Sequence, residues 1–256
     1  AALGELGGAV GDAGFVSEFL NQAYEGYRAF LGKVLAATLE VDASWSRVQA
    51  GAGLLRLCAL PRLLHLFRAL PPAATLELAE KADAASLEAY EKLLTAKLTN
   101  SPQQTQAALP TRLGGSGILR FKELRAQAWL GSWLGTLPAV RFLAGKELAS
   151  CAVLTQGSAA WAVALREAIA ELSAEGVYLD QAGAVVREPP AQLWGWEDGP
   201  PALAQRQRLL SRARAEAARS RLLLSLPSAA RARLRACGGL GAGAWVSATP
   251  SSPATR

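Results

Sequence analysis

The chain has 256 residues, 51% of them hydrophobic, and a formal charge of +6; that is enough for one large domain or two small ones, and too apolar for a disordered segment. The positive charge is local, with nine arginines and a single acid, Glu216, between Leu203 and Arg235. Cys58, Cys151 and Cys237 are odd in number and far apart, which argues for reduced thiols rather than a disulfide framework, and so for an intracellular chain, nuclear or cytoplasmic and not secreted. There is no basic leader followed by an apolar core. The absence of any methionine reads as a piece of a longer polypeptide.

Asp12 is placed to cap a helix from about Phe15 to Leu39, along which Phe15, Phe19, Ala23, Tyr27, Phe30 and Val34 recur at steps of three and four. Residues 41–70 predict further helix, broken at Pro61. This run is the most apolar in the chain, yet Arg56, Arg62, His65 and Arg68 interrupt it. Each charge near the centre of a membrane span costs about 2.5–3.5 kcal/mol, so the expectation is a buried or amphipathic helix pair and no membrane partner. His65, the single histidine, reads as a packed core residue before a base or a ligand. Thr75 follows two prolines as a candidate cap for a helix through Leu98, with Leu87, Tyr90, Leu94 and Leu98 on its buried face. "TNSPQQTQ", 99–106, reads as a polar loop.

The stretch "LPTRLGGSGILRF", 109–121, breaks the helical pattern with Pro110, Gly114, Gly115 and Gly117, and sets Arg112 and Arg120 on either side. A structural joint is the favoured reading; a phosphate cradle of backbone amides is the second. A nucleophile turn fails, because Ile118 stands where that turn requires glycine. "KELRAQAWLGSWLGTL" predicts a short helix stopped before Pro138. Another helix spans 159–174 and ends at Gly176, and "VYLDQAGAVV", 177–186, is a candidate β-hairpin. A proline-rich linker bearing Trp194 and Trp196, an arginine-rich helix and a glycine-rich tail complete the chain. The fold class is therefore mainly α, an irregular helical bundle with one candidate hairpin near 177–186. Composition shifts suggest an N-terminal helical block over 1–105, a central block with the joint and hairpin over 106–190, and the linker, arginine helix and tail over 191–256.

No active site is legible. Zinc-binding spacings and the P-loop pattern are missing, and "GLGAGA" at 239–244 follows an arginine-rich helix where a dinucleotide site needs a strand. The aspartates at 12, 42, 83, 180 and 198 are never adjacent, so no pair announces itself as a divalent-metal site. On the arginine helix, Leu203, Leu210, Ala213, Ala217 and Leu224 share one face, with Arg208, Arg212 and Arg219 nearly opposite. Guanidinium groups donate paired hydrogen bonds and never deprotonate, which suits phosphate; a solvated face is the equal alternative.

Read in order, "LLRLCALPRLLHLFRALPP", "KADAASLEAYEKLL", "LPTRLGGSGILRFKELRAQAWLGSWL" and "GAGAWVSATPSS" resemble the region C-terminal to the polymerase core in reverse-transcriptase-like open reading frames of non-LTR retroelements. The resemblance covers about 54–134 and 236–252. Ser116 and Ile118 depart from it, standing where the family more often has Leu-Gly. It implies the thumb and connector of an RNA-directed DNA polymerase whose catalytic aspartates and magnesium lie outside this chain, so no catalytic or metal residue is expected here. It further implies that Arg62, Arg68, Arg112 and Arg120 face the phosphates of RNA or an RNA–DNA duplex, with Arg208, Arg212 and Arg219 as a second contact. The remainder of a larger polypeptide would be the other partner. Two other readings stay open: a helical protein–protein module using Trp194 and Trp196, and an enzyme whose carboxylates converge only in three dimensions.

Overall fold

A computed structural model describes residues 12–39, 44–144, 158–179, 185–186 and 206–239. The protein is mainly α-helical. Helix α1 (Ala13–Leu39) opens as its sequence dictates, with the Asp12 carboxylate accepting the Phe15 amide at 2.9 Å. Of the stripe read from sequence, Tyr27 and Val34 are buried and Phe15, Phe19, Ala23 and Phe30 are half-buried, while Leu20 and Leu31, outside that stripe, complete the buried face. Helix α2 (Ser44–Leu54) runs into a π-turn (Leu55–Ala59), and α3 (Pro61–Ala69) follows. The π-turn answers a local problem: Pro61 has no N–H, and its ring would press on the preceding turn. The chain widens there instead, and the Leu60 amide bonds back to Leu55 at 2.9 Å.

By length and composition Val48–Ala69 could cross a membrane. Leu55, Ala59, Leu60, Leu63, Leu66 and Phe67 are nevertheless buried within the protein, as in a core helix. His65 is not in that core. It is exposed, as is Arg68 one turn further along α3.

After a short 3₁₀ turn (Ala73–Thr75), α4 (Leu76–Leu94) begins without help from a Thr75 cap. The Thr75 hydroxyl donates to the Pro71 and Pro72 carbonyls instead of accepting an amide. The helix ends at Leu94, short of Leu98, where Thr95 turns to a φ of 52°. The supposed polar loop is a helix, α5 (Ser101–Ala108): Asn100 accepts the Gln103 amide at 3.0 Å, Pro102 occupies the first turn, and Gln103 in turn accepts the Thr99 amide. Helix α6 (Phe121–Ala144) starts on a carboxylate far away in sequence, Asp83 Oδ1, which takes the Phe121 amide at 2.5 Å. It continues through Pro138 instead of stopping before it. Helix α7 (Ala160–Ala174) ends at Gly176, whose φ of 77° supplies the left-handed turn. Strands β1 (Tyr178–Leu179) and β2 (Val185–Val186) pair antiparallel, Tyr178 opposite Val186. Helices α8 (Arg206–Ser225) and α9 (Ser228–Ala236) complete the described chain.

These elements form two compact units. The first comprises residues 1–10, 64–77 and 122–217; the second, 11–63, 78–121 and 218–256. In the first, Trp129, Leu130 and Leu134 of α6 pack with Leu165, Ile169 and Leu172 of α7 and with Leu210 of α8, and Trp133 stacks on Trp161 at 5.4 Å between ring centroids. In the second, Tyr27 of α1 hydrogen-bonds Ser86 of α4 at 2.7 Å and meets the edge of Phe121.

Candidate nucleic-acid interface

The glycine-rich stretch lies wholly in the second unit, and its backbone resolves the choice left open by sequence. Leu113 and Gly115 donate to Pro110, Gly114 to Thr111, Ser116 and Ile118 to Ala107, and Gly117 to Leu109, at 2.8–3.3 Å. Six consecutive amides are thus spent inside the fold. A phosphate cradle needs such amides free, so that alternative is overturned and the stretch is a joint. The glycines are there for space. A Cβ on Gly115 would lie 2.0 Å from the Leu109 carbonyl oxygen, while Gly114 and Gly117 hold φ of 87° and 73°. The joint also folds onto the end of α9, where Leu113 bridges Gly238 and the Gly239 amide donates to the Arg112 carbonyl at 3.1 Å.

The arginines singled out in the sequence divide between the units. In the second unit, Arg62 is exposed, with its guanidinium carbon 4.3 Å from the centre of the Phe30 ring. Arg112 is exposed on the joint. Arg120 is half-buried and donates to Gln104 at 3.0 Å. Arg219 is half-buried, with its Nε out of water and without a hydrogen-bond partner. In the first unit, Arg68 is exposed and its Nε donates to Gln207 at 2.8 Å. Arg208 is exposed, and Arg212, also exposed, pairs with Glu216 one helical turn on, at 3.0 Å. Arg221, Arg233 and Arg235 are exposed as well; the arginine-rich composition of 203–235 was their only signal in the sequence. Trp194 and Trp196 lie outside the described residues.

Helical phase alone misplaced part of the arginine helix. Leu224, assigned to the apolar face, is 81% exposed, whereas Arg214 is buried. Arg214 belongs to a cluster of charges in the first unit. Its Nε and Nη2 engage the Glu175 carboxylate, the latter at 2.5 Å, and its Nη1 lies 3.3 Å from Glu123. Beside it, Arg125 Nη1 grips both oxygens of Glu171 at 2.8 and 2.6 Å. Burial first, and then the Glu175 charge, hold the Glu171 carboxyl above the ordinary carboxylate range against the pull of Arg125 and Arg214. Three glutamates do converge, then, but on two guanidinium groups. Among the described residues no group of three His, Cys, Asp or Glu is placed to hold a metal ion.

Set against known proteins, the chain matches no family model, no curated protein and no solved structure.

Proposed function

We propose that the chain is a non-catalytic, nucleic-acid-binding helical segment of a reverse-transcriptase-like retroelement protein, gripping the backbone of a primer–template duplex. The observation that carries this reading is the arginine-rich end of the second unit: Arg221, Arg233 and Arg235 of α8 and α9 are exposed, and residues 218–239 include no acid. Exposed guanidinium on regular helices suits a repeating polyanion, recognised through its backbone and without regard to base sequence. The retroelement context comes from the sequence resemblance alone. Polymerisation, with its aspartates and magnesium, would belong to another part of the polypeptide.

The test is binding of an RNA–DNA hybrid between 50 and 200 mM salt, concentrations chosen because affinity should fall steeply across them. The log–log slope should be about −0.7 to −0.9 per phosphate neutralised, and replacing Arg221, Arg233 and Arg235 together by alanine should make it shallower by roughly 2 to 3. A wild-type slope near zero refutes the proposal. A second reading, a helical protein–protein module, is favoured by the exposure of Leu57 (73%) and Leu224 (81%). In that case binding to the partner survives moderate salt and fails when Trp194 and Trp196 are replaced.

A further inference from the structure

The solvent face of α1 carries its charges in a set order. Glu18 and Glu25 precede Ala29 and Lys33 follows it, and all four residues are exposed. At 100° per residue they fall within an arc of about 80°, opposite the buried Leu20, Tyr27, Leu31 and Val34. Among the described residues Lys33 has no ionic partner. Glu25 meets Arg28 at 4.0 Å and keeps 67% of its side-chain exposure. The chain makes little use of either charge within itself.

Space accompanies these charges. Gly26 and Gly32 stand three residues to either side of Ala29, and a Cβ built on either would meet nothing within 4 Å. Glycine lowers helix stability relative to alanine, and no contact within the chain requires it at these two places. Gly32 also lines a groove of about 330 Å³ between α1 and α4, together with Leu31, Leu35 and Ala89.

Residues equally far from Ala29 in sequence are equally far from it along the helix axis, about 6 Å for Glu25 and Lys33. A second copy laid antiparallel over this face sets each Glu25 level with the partner's Lys33, and each Gly26 level with the partner's Gly32. The glycines leave room for the two long side chains to cross the seam. A parallel arrangement sets like charge against like and aligns the helix dipoles unfavourably. We infer that two copies of this chain pair antiparallel through α1, about a two-fold axis at Ala29, with Glu25 of each copy facing the partner's Lys33. The seam is self-complementary in charge, which is why a second copy fits it.

A seam confined to one helix falls short of the roughly 1,200–2,000 Å² of a stable interface, so the pairing is weak, with a dissociation constant of about 10–100 µM. Sedimentation equilibrium of the full chain at low salt, over concentrations spanning that value, reads it directly. Ala29→Glu places two carboxylates on the axis and should abolish association; thermal melts confirm that each variant is folded. Glu25→Lys and Lys33→Glu each turn two attractions into two repulsions, and each alone should weaken association about 10- to 30-fold. Mixed in equal amounts, the two variants again present opposite charges to one another and should associate about as tightly as the wild type. No role of these charges within a single chain produces that rescue. A wild type that stays monomeric throughout overturns the pairing and leaves the face to a different partner. A dimer that survives Ala29→Glu, or a mixture no tighter than either variant alone, overturns the face and its register.

Discussion

Replacing Arg214 by methionine tests the physical account of the first unit most directly. The side chain is 8% exposed, hydrogen-bonds Glu175 through two nitrogens and forms an ion pair with Glu123 through the third. Breaking a buried ion pair by deleting one partner costs about 3–5 kcal/mol when the orphaned charge stays dry. Here the carboxylates keep 25% and 35% of their side-chain exposure, so water reaches them and the expected loss is discounted to about 2–3 kcal/mol at pH 7. The sign with pH follows from what remains. Without Arg214 the Glu171 carboxyl, already held above the ordinary carboxylate range by burial and the Glu175 charge, loses one of the two cations that oppose that rise, so its folded pKa moves further above the unfolded one. The folded variant then binds more protons than the unfolded chain, and its deficit is full above the raised pKa and shrinks as pH falls towards 4. Urea unfolding at pH 7 and pH 4, followed by tryptophan fluorescence, reads both quantities, since Trp129, Trp133 and Trp161 report from this core. Adding Glu175→Gln to the variant should recover about 1 kcal/mol through relief of the like-charge contact. A deficit below about 0.5 kcal/mol, or one of equal size at both pH values, would show that the cluster is not a stabilising network.

Gly115→Ala should lower stability by about 2 kcal/mol or more, because its Cβ meets backbone oxygen that cannot rotate away; Gly135→Ala, in α6 with nothing within 4 Å of the new Cβ, should be neutral or stabilising by roughly 0.5–1 kcal/mol. Equal thermal shifts for the two would count against the joint. Burial pushes the Tyr27 hydroxyl up to about 12, overcoming the opposing hydrogen bond with Ser86. A raised phenol pKa means the unfolded chain loses its proton first, so stability should fall as pH rises from about 10 to 12, by about 1.4 kcal/mol per pH unit. Tyr27→Phe should remove that part of the alkaline slope; an identical slope in the variant would contradict it.

Much of the helical layout was legible locally. The helix of Phe15 to Val34, the Asp12 cap, the glycine stop at Gly176 and the hairpin flanks carry their instructions within a few residues, because helix and strand periods and caps are short-range properties; which residues of that helix are most buried, Leu20 and Leu31 among them, was not legible. The polarity of residues 99–106 reads as a loop, although Asn100, Pro102 and Gln103 spell out a helix start. Other features had no local signature. Arg214 resembles its neighbours in the run until Glu175, 39 residues back in the chain, arrives beside it. Asp83 becomes the cap of α6 only through a contact spanning 38 residues. The joint's glycines announced a turn, but whether their amides were free or spent depended on the carbonyls of Ala107, Leu109 and Pro110 folding back over them. The sequence determined where the chain is helical and where its positive charge is concentrated. Tertiary structure decided which charges are neutralised, since pairing and desolvation depend on groups that only folding brings within a few ångströms.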